Sequence, residues 1–533
     1  MMRHAFTCFV ANALLAQAAI ANPVEQAEII YADLNDASSV IGAIDSGLFT
    51  SFRGKDRAAW DKQFRDKRAQ LAAKLAAISD KGLSGEDARV LSILRKKLES
   101  VSDSAEDGPR GRCEDSQRRD LQFTALSAAL VGCFKEIGNS LEFEGEKIDR
   151  ASALARLTEI DDPARRKALF DALAPIWQAV NGSNESNSPY RRLIAMAASE
   201  GRAKGSPVDA AARTVGVKTS ELEQWLVRML EAWSGVTAGE SLEPWNYRHA
   251  GGAADRAVAA NIPRKSLLEL DHRFYRDLGA DLDALGVVYD LEPRPDKSSV
   301  AYTDFLIHGR WVEGRWQPTI PRVLASYKDG NLGSLNELVH ENGHAVQLSA
   351  IRNRPAFVDW NDDLFVEAFA DVSSWSVYEP AWQKHYLGRS ASKQAAQRAL
   401  FGAVMLDVAW ALFETRMLRD PTTDPNALWT DITHRYLHIV KHPEMAWWAV
   451  RVQLVDLPGY MVNYGLGAVL TAELRALVQR KIGAFDTGNP RWYSWLQQNL
   501  LRFGSERDTA TLLKEALGRP VSPDALLALL RKE

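Results

Sequence analysis

Ser334-Leu335-Asn336-Glu337-Leu338-Val339-His340-Glu341-Asn342-Gly343-His344-Ala345-Val346 is the stretch from which the rest of the chain is read. Ser334, with Glu337 three residues on, has the form of a capping box and places a helix start just ahead of the histidines. Leu335, Leu338, Val339, Ala345 and Val346 then supply an apolar stripe, while His340 and His344 project together from another face. Two imidazoles one helical turn apart can chelate a single cation, and Glu341, one position round, stands beside that cation without binding it. Catalytic zinc takes three protein ligands and leaves the fourth position to a water whose pKa falls to about 7. Two histidines are therefore an incomplete set.

The third ligand is expected from Val366-Glu367-Ala368-Phe369-Ala370-Asp371-Val372. Asp362 and Asp363 suit the positively polarised start of a second helix, and Leu364 to Trp375 contains no Pro or Gly. If the two helices pack together, Glu367 completes the zinc set. Asp371, one turn further on, is placed to hold the second ring nitrogen of a zinc histidine. The expected chemistry has one Zn2+ per chain, with Glu341 taking a proton from the activated water and later passing it to a leaving amine.

The bulk properties are those of an ordinary globular protein: 533 residues, 46% hydrophobic, 25% charged, net charge −4. No long Lys/Arg run or strongly basic balance points to a nucleic-acid partner. The first 21 residues differ: Arg3 precedes a largely apolar stretch from Ala5 to Ile20 that ends Ala19-Ile20-Ala21, the form of a signal peptide with its cleavage site. An exported protein, periplasmic or secreted, is expected. It carries no membrane anchor after cleavage, since no later segment reads as long and apolar enough to span a bilayer. Cys113 and Cys133 remain in the mature chain and are expected to pair in an oxidising compartment.

Most of the mature chain reads as helix, including Ala58 to Ile78 and Gly85 to Val101. Breaks fall at residues 103–119, 181–189 and 292–299. The last divides a single catalytic unit, residues 22–533, into an N-terminal helical half, 22–295, and a zinc-binding half, 296–533. Tyr302 to Ile307 and Thr319 to Tyr327 are extended in character, separated by turn-rich Gly309 to Gln317. They predict a small sheet beside the active-site helix, either a free edge for a peptide backbone or a structural hairpin. The fold class is thus mostly α with a small β-sheet. His434, His438 and His442 recur every fourth residue, giving either a polar face or a second metal site, and His308 is a substrate-contact candidate.

With these residues in view, the chain resembles zinc metallopeptidases of the gluzincin type, especially the angiotensin-converting enzyme and thimet-oligopeptidase-like families. The resemblance is carried mainly by the C-terminal half. Val366 to Val372 looks like the converting-enzyme Glu-Ala-x-x-Asp segment, and Pro321 to Tyr327 looks more like the oligopeptidases. Pro458-Gly459-Tyr460-Met461-Val462-Asn463-Tyr464-Gly465 is similar to the Gly-Tyr-x-x-x-Tyr stretch that oligopeptidases place opposite the zinc. The resemblance implies a large helical body split by a deep substrate channel that admits short peptides. It makes Tyr460 and Tyr464 candidates for stabilising the oxyanion, a hydrogen bond of roughly 3–4 kcal/mol in the transition state. Three positions depart from the pattern: Asn342 where these families carry Phe or Met, Val455 where oligopeptidases have His, and Arg451-Val452-Gln453 in place of Lys-x-His. Arg451 becomes a candidate for gripping a substrate C-terminal carboxylate. The expected protein is a monomeric, exported zinc peptidase acting on short peptides in oligopeptidase or peptidyl-dipeptidase mode. A carboxypeptidase releasing single residues is the nearest competitor, and an inactive peptide-binding protein on the same fold is the rival from another class.

Overall fold

The computed structural model describes residues 22–46, 55–100, 111–294, 297 and 301–531, so the expected signal segment lies outside the described residues. Three N-terminal helices, α1 (Pro23–Asp45), α2 (Lys55–Ala77) and α3 (Gly85–Ser100), form where alanine, leucine and long charged residues dominate. Val24, Tyr31, Leu71, Leu75 and Leu94 bury a small core of their own, closed by Phe357 from the second half of the chain. Arg354 fastens this layer through Glu28 at 2.7 Å and Asp87 at 2.9 Å. Next come α4 (Phe123–Glu136), α5 (Pro189–Lys204), α6 (Thr219–Val236) and α7 (Leu267–Asp277). Cys133 in α4 is joined to Cys113 by a disulfide.

Five strands follow: β1 (Val288–Asp290), β2 (Tyr302–Ile307), β3 (Arg310–Val312), β4 (Arg315–Gln317) and β5 (Ile320–Leu324), of which β1, β5 and β2 make a three-stranded sheet and β3 and β4 a separate pair. β5 is central, parallel to β1 and antiparallel to β2, with a bulge between Phe305 and Ile307. The stretch expected as turn-rich, 309–317, is itself a hairpin, β3 on β4. Its two-residue turn, Glu313 at φ 49° and Gly314 at φ 74°, has the left-handed geometry that matches strand twist.

Behind the sheet stand α8 (Leu332–Ala350), α9 (Asp363–Ser374), α10 (Lys393–Arg419), α11 (Pro425–Leu437) and α12 (Val462–Ile482). The helices Thr509–Leu517 and Asp524–Leu530 end the chain. One apolar core runs through residues 126 to 530, with Trp233, Trp382, Trp410, Trp429, Trp448 and Trp492 fully buried. The molecule is mostly α, as expected. Contrary to expectation, one helix, α10, is long and apolar enough to meet the length and hydropathy of a bilayer span, but 67% of its most apolar window is buried. Phe401, Met405, Trp410, Phe413 and Met417 on it are core side chains, so its hydrophobicity serves packing.

Candidate metal centre

α8 begins one turn earlier than the Ser334 box suggests. Asn331 is its N-cap, accepting the backbone N–H of Ser334 at 2.7 Å, and Asp255 takes the N–H of Leu332 at 2.7 Å. α9 is capped by Asp362, which accepts the N–H of Phe365 at 2.9 Å. The two helices meet at Gly343, where a Cβ would stand 2.8 Å from the Ala370 Cα. Only glycine permits that approach, and the approach brings Glu367 to the histidines.

His340 Nε2 lies 3.1 Å from His344 Nε2 and 3.2 Å from Glu367 Oε2, and His344 Nε2 lies 3.8 Å from Glu367 Oε1. Ligands held tetrahedrally at zinc bond lengths stand about 3.3–3.6 Å from one another, so shifts of a few tenths of an ångström would bring this donor set onto that ion. Among the described residues this is the one group of three such donors arranged to hold a metal. Burial works against a charged His340, but Asp371 and Glu367 outweigh it and hold the ring well above its ordinary pKa. Burial and the charge on His340 hold His344 well below.

Asp371 Oδ1 stands 2.8 Å from His340 Nδ1 and itself accepts the Ser374 hydroxyl at 2.9 Å. This is the orienting contact read from the sequence. Glu341 is 5% exposed, and burial pushes its carboxyl up to about 7 against the opposing pull of His340 and Thr303. Thr303, on β2, places its hydroxyl 2.7 Å from Glu341 Oε2. Sequence reasoning recognised the strand but not this residue, because nothing in the strand pattern says which hydroxyl meets a helix 38 residues away.

A cavity of about 390 Å³ opens on these groups, with His340, Glu367, Asp407, Tyr460 and Tyr464 in its walls. Tyr460 and Tyr464 stand edge to face, centroids 5.9 Å apart. Among the described residues the Tyr460 hydroxyl has no hydrogen-bond partner. Tyr464 accepts from Gln453 Nε2 at 3.1 Å and lies beneath the Arg451 guanidinium, 4.8 Å from its centroid. Arg451 Nη2 is 2.8 Å from Asp407 Oδ1, and its buried Nε has no hydrogen-bond partner. Asp407 and Arg248 were not read from the sequence. Burial, with Arg451 nearby, pushes Arg248 down to about 10. Neither arginine is among the cavity's wall residues, which include the carboxylates Asp363, Glu367, Asp371 and Asp407.

Other expected residues go elsewhere. His308 is 8% exposed, held by Asp36 at 3.0 Å and stacked 4.2 Å from Phe305, away from the cavity walls. His442 sits between Glu243 at 2.8 Å and Glu444 at 2.7 Å, and His434 and His438 bond to backbone carbonyls. Asn342 faces the back of α8, donating to Asp271 at 2.8 Å and accepting from Tyr289 at 2.8 Å. Val455 is fully buried core.

Solved structures supply the comparison. The M32 carboxypeptidase from Deinococcus radiodurans R1 is similar over 95% of this chain and 97% of its own, at 17% identity and a TM-score of 0.56. The chain shares the fold of known carboxypeptidases. A Pyrococcus furiosus carboxypeptidase matches over 97% of this chain and 99% of its own, at 15% identity and a TM-score of 0.53. Trypanosoma cruzi metallocarboxypeptidase 1 matches over 96% and 99%, at 15% identity and a TM-score of 0.50. No protein-family model matches the sequence, and no curated protein matches it. At these identities the likeness is one of fold.

Proposed function

We propose that this protein is a zinc metallocarboxypeptidase that releases single residues from the C-terminus of peptides. The observation that carries the reading is the convergence of His340, His344 and Glu367 beside a buried Glu341, on a fold shared with carboxypeptidases. His340, His344 and Glu367 hold the ion, and Asp371 keeps the His340 ring in the tautomer that binds through Nε2. Bound zinc supplies an acidified water and a Lewis acid for the scissile carbonyl. Glu341, steadied by Thr303, takes the proton of the attacking water and delivers it to the departing nitrogen. The free Tyr460 hydroxyl donates to the developing oxyanion, whereas the Tyr464 hydroxyl is oriented by the bond it accepts from Gln453 and its ring lies under Arg451.

Arg451 grips the substrate carboxylate, with Arg248 adding to the positive field and Asp407 orienting the guanidinium. This favours C-terminal trimming over internal cleavage. Asn342 does not signal lost catalysis, since it is a structural partner of Asp271 on the far side of the helix. An intrachain disulfide, Cys113–Cys133, fits action in an oxidising compartment after export.

Paired peptides that differ only in a free or an amidated C-terminus test the reading. Zinc-dependent release of the last residue is expected from the free form alone. Equal cleavage of the amidated form removes the carboxypeptidase assignment.

A further inference from the structure

α10 carries a buried acid with no part in the steps above. Glu414 is 1% exposed, and its Oε2 accepts the backbone N–H of Met461 at 2.9 Å. The Gly459 amide also favours the charged carboxyl without reaching it in hydrogen-bond geometry, and Oε1 has no hydrogen-bond partner. Burial pushes the group up to about 8, opposed only by these two amides. The titratable group that senses it is Tyr190 on α5, fully buried, with an unpartnered hydroxyl and a ring 4.4 Å from Trp448.

A carboxyl sunk among aromatic rings without a cation costs stability, and apolar packing would fill the space more cheaply. What Glu414 does there is hold a turn. The two amides belong to the residues on either side of Tyr460, just ahead of α12. Gly459 adopts φ 99°, and a Cβ on it would meet Pro207 Cβ at 3.0 Å, so the turn is also fixed from outside. Anchoring the backbone before and after one residue fixes the direction of its Cα–Cβ bond.

We infer that Glu414 is a positioning residue, which sets the Tyr460 hydroxyl in the metal cavity by holding the Met461 amide while Pro207 confines the turn at Gly459. The inference rests on the role given to Tyr460 in the proposed function. A displacement of an ångström at a reacting group can cost up to about a hundredfold in rate. Sequence spacing could not reveal this pairing, since Glu414 and Met461 are 47 residues apart.

A double-mutant cycle tests it, with amide hydrogen exchange as a second reading. Glu414→Gln keeps an acceptor oxygen and serves as the control, whereas Glu414→Leu keeps much of the volume and removes both oxygens. Glu414→Leu should lower kcat about tenfold with KM and zinc content unchanged. Glu414→Leu on a Tyr460→Phe background should cost nothing further, and the Met461 amide should exchange faster in Glu414→Leu than in Glu414→Gln. Losses that multiply, or an unchanged Met461 amide, overturn the clamp while leaving the peptidase reading intact. A wild-type protein that releases no residue from any peptide overturns both.

Discussion

In α8, His340 and His344 stand four residues apart with their Nε2 atoms at 3.1 Å. At the end of α11, His434 and His438 have the same spacing, yet each is tied elsewhere. α11 stops at Leu437, and His438 takes φ 54° as its cap, turning its Nε2 to the Ser234 carbonyl at 2.9 Å. His434 gives its Nδ1 to the Ile439 carbonyl at 3.0 Å. Helical spacing therefore makes a ligand pair only where the helix runs through both positions and a second element delivers an acid. At α8 both conditions hold, because Gly343 lets α9 close in with Glu367 and Asp371.

Breaking the α8 side of this comparison should have the largest effects. Glu367→Ala is expected to abolish stoichiometric zinc binding and hydrolysis together, read by metal analysis and peptide assay. Glu341→Gln should leave one zinc bound while kcat/KM falls by about a thousandfold or more, and loss of metal there would instead assign a structural role to that residue. Tyr460→Phe should cost roughly 10²–10³ in kcat with little change in KM, and Tyr464→Phe much less. Asp371→Asn should weaken zinc about 10–100-fold by competitive chelation, since the orienting contact to His340 becomes neutral. Gly343→Ala should destabilise by about 1–3 kcal/mol in denaturant unfolding, because its Cβ would press on Ala370. On the α11 side, His434→Gln and His442→Gln should leave the zinc stoichiometry at its wild-type value, and a second equivalent lost there would restore the two-metal reading.

The candidate metal ligands were legible because their pattern is encoded locally: a four-residue helical interval, then an acid on a second helix with its own cap. The helical body was legible for the same reason, from alanine and leucine periodicity. What escaped depends on chain segments meeting across long separations. Thr303 reaches Glu341 from a strand, Asp407 reaches Arg451 from α10, and Asp271 reaches Asn342 from α7. Asn342 looked like a departure from catalysis because its outward neighbour is invisible in the sequence. The Ser334 box misplaced the helix start because Asn331, three residues earlier, offers the same kind of cap and Asp255 adds another acceptor. His308 read as a substrate-contact candidate, but α1 supplies Asp36 to hold it away from the cavity walls.

The masses of products released over time from a ten-residue peptide by zinc-loaded protein test the central claim most directly. A ladder shortened one C-terminal residue at a time, and stopped by a chelator, is the expected result. Release of dipeptides, internal fragments, or cleavage that continues after the metal is removed contradicts it.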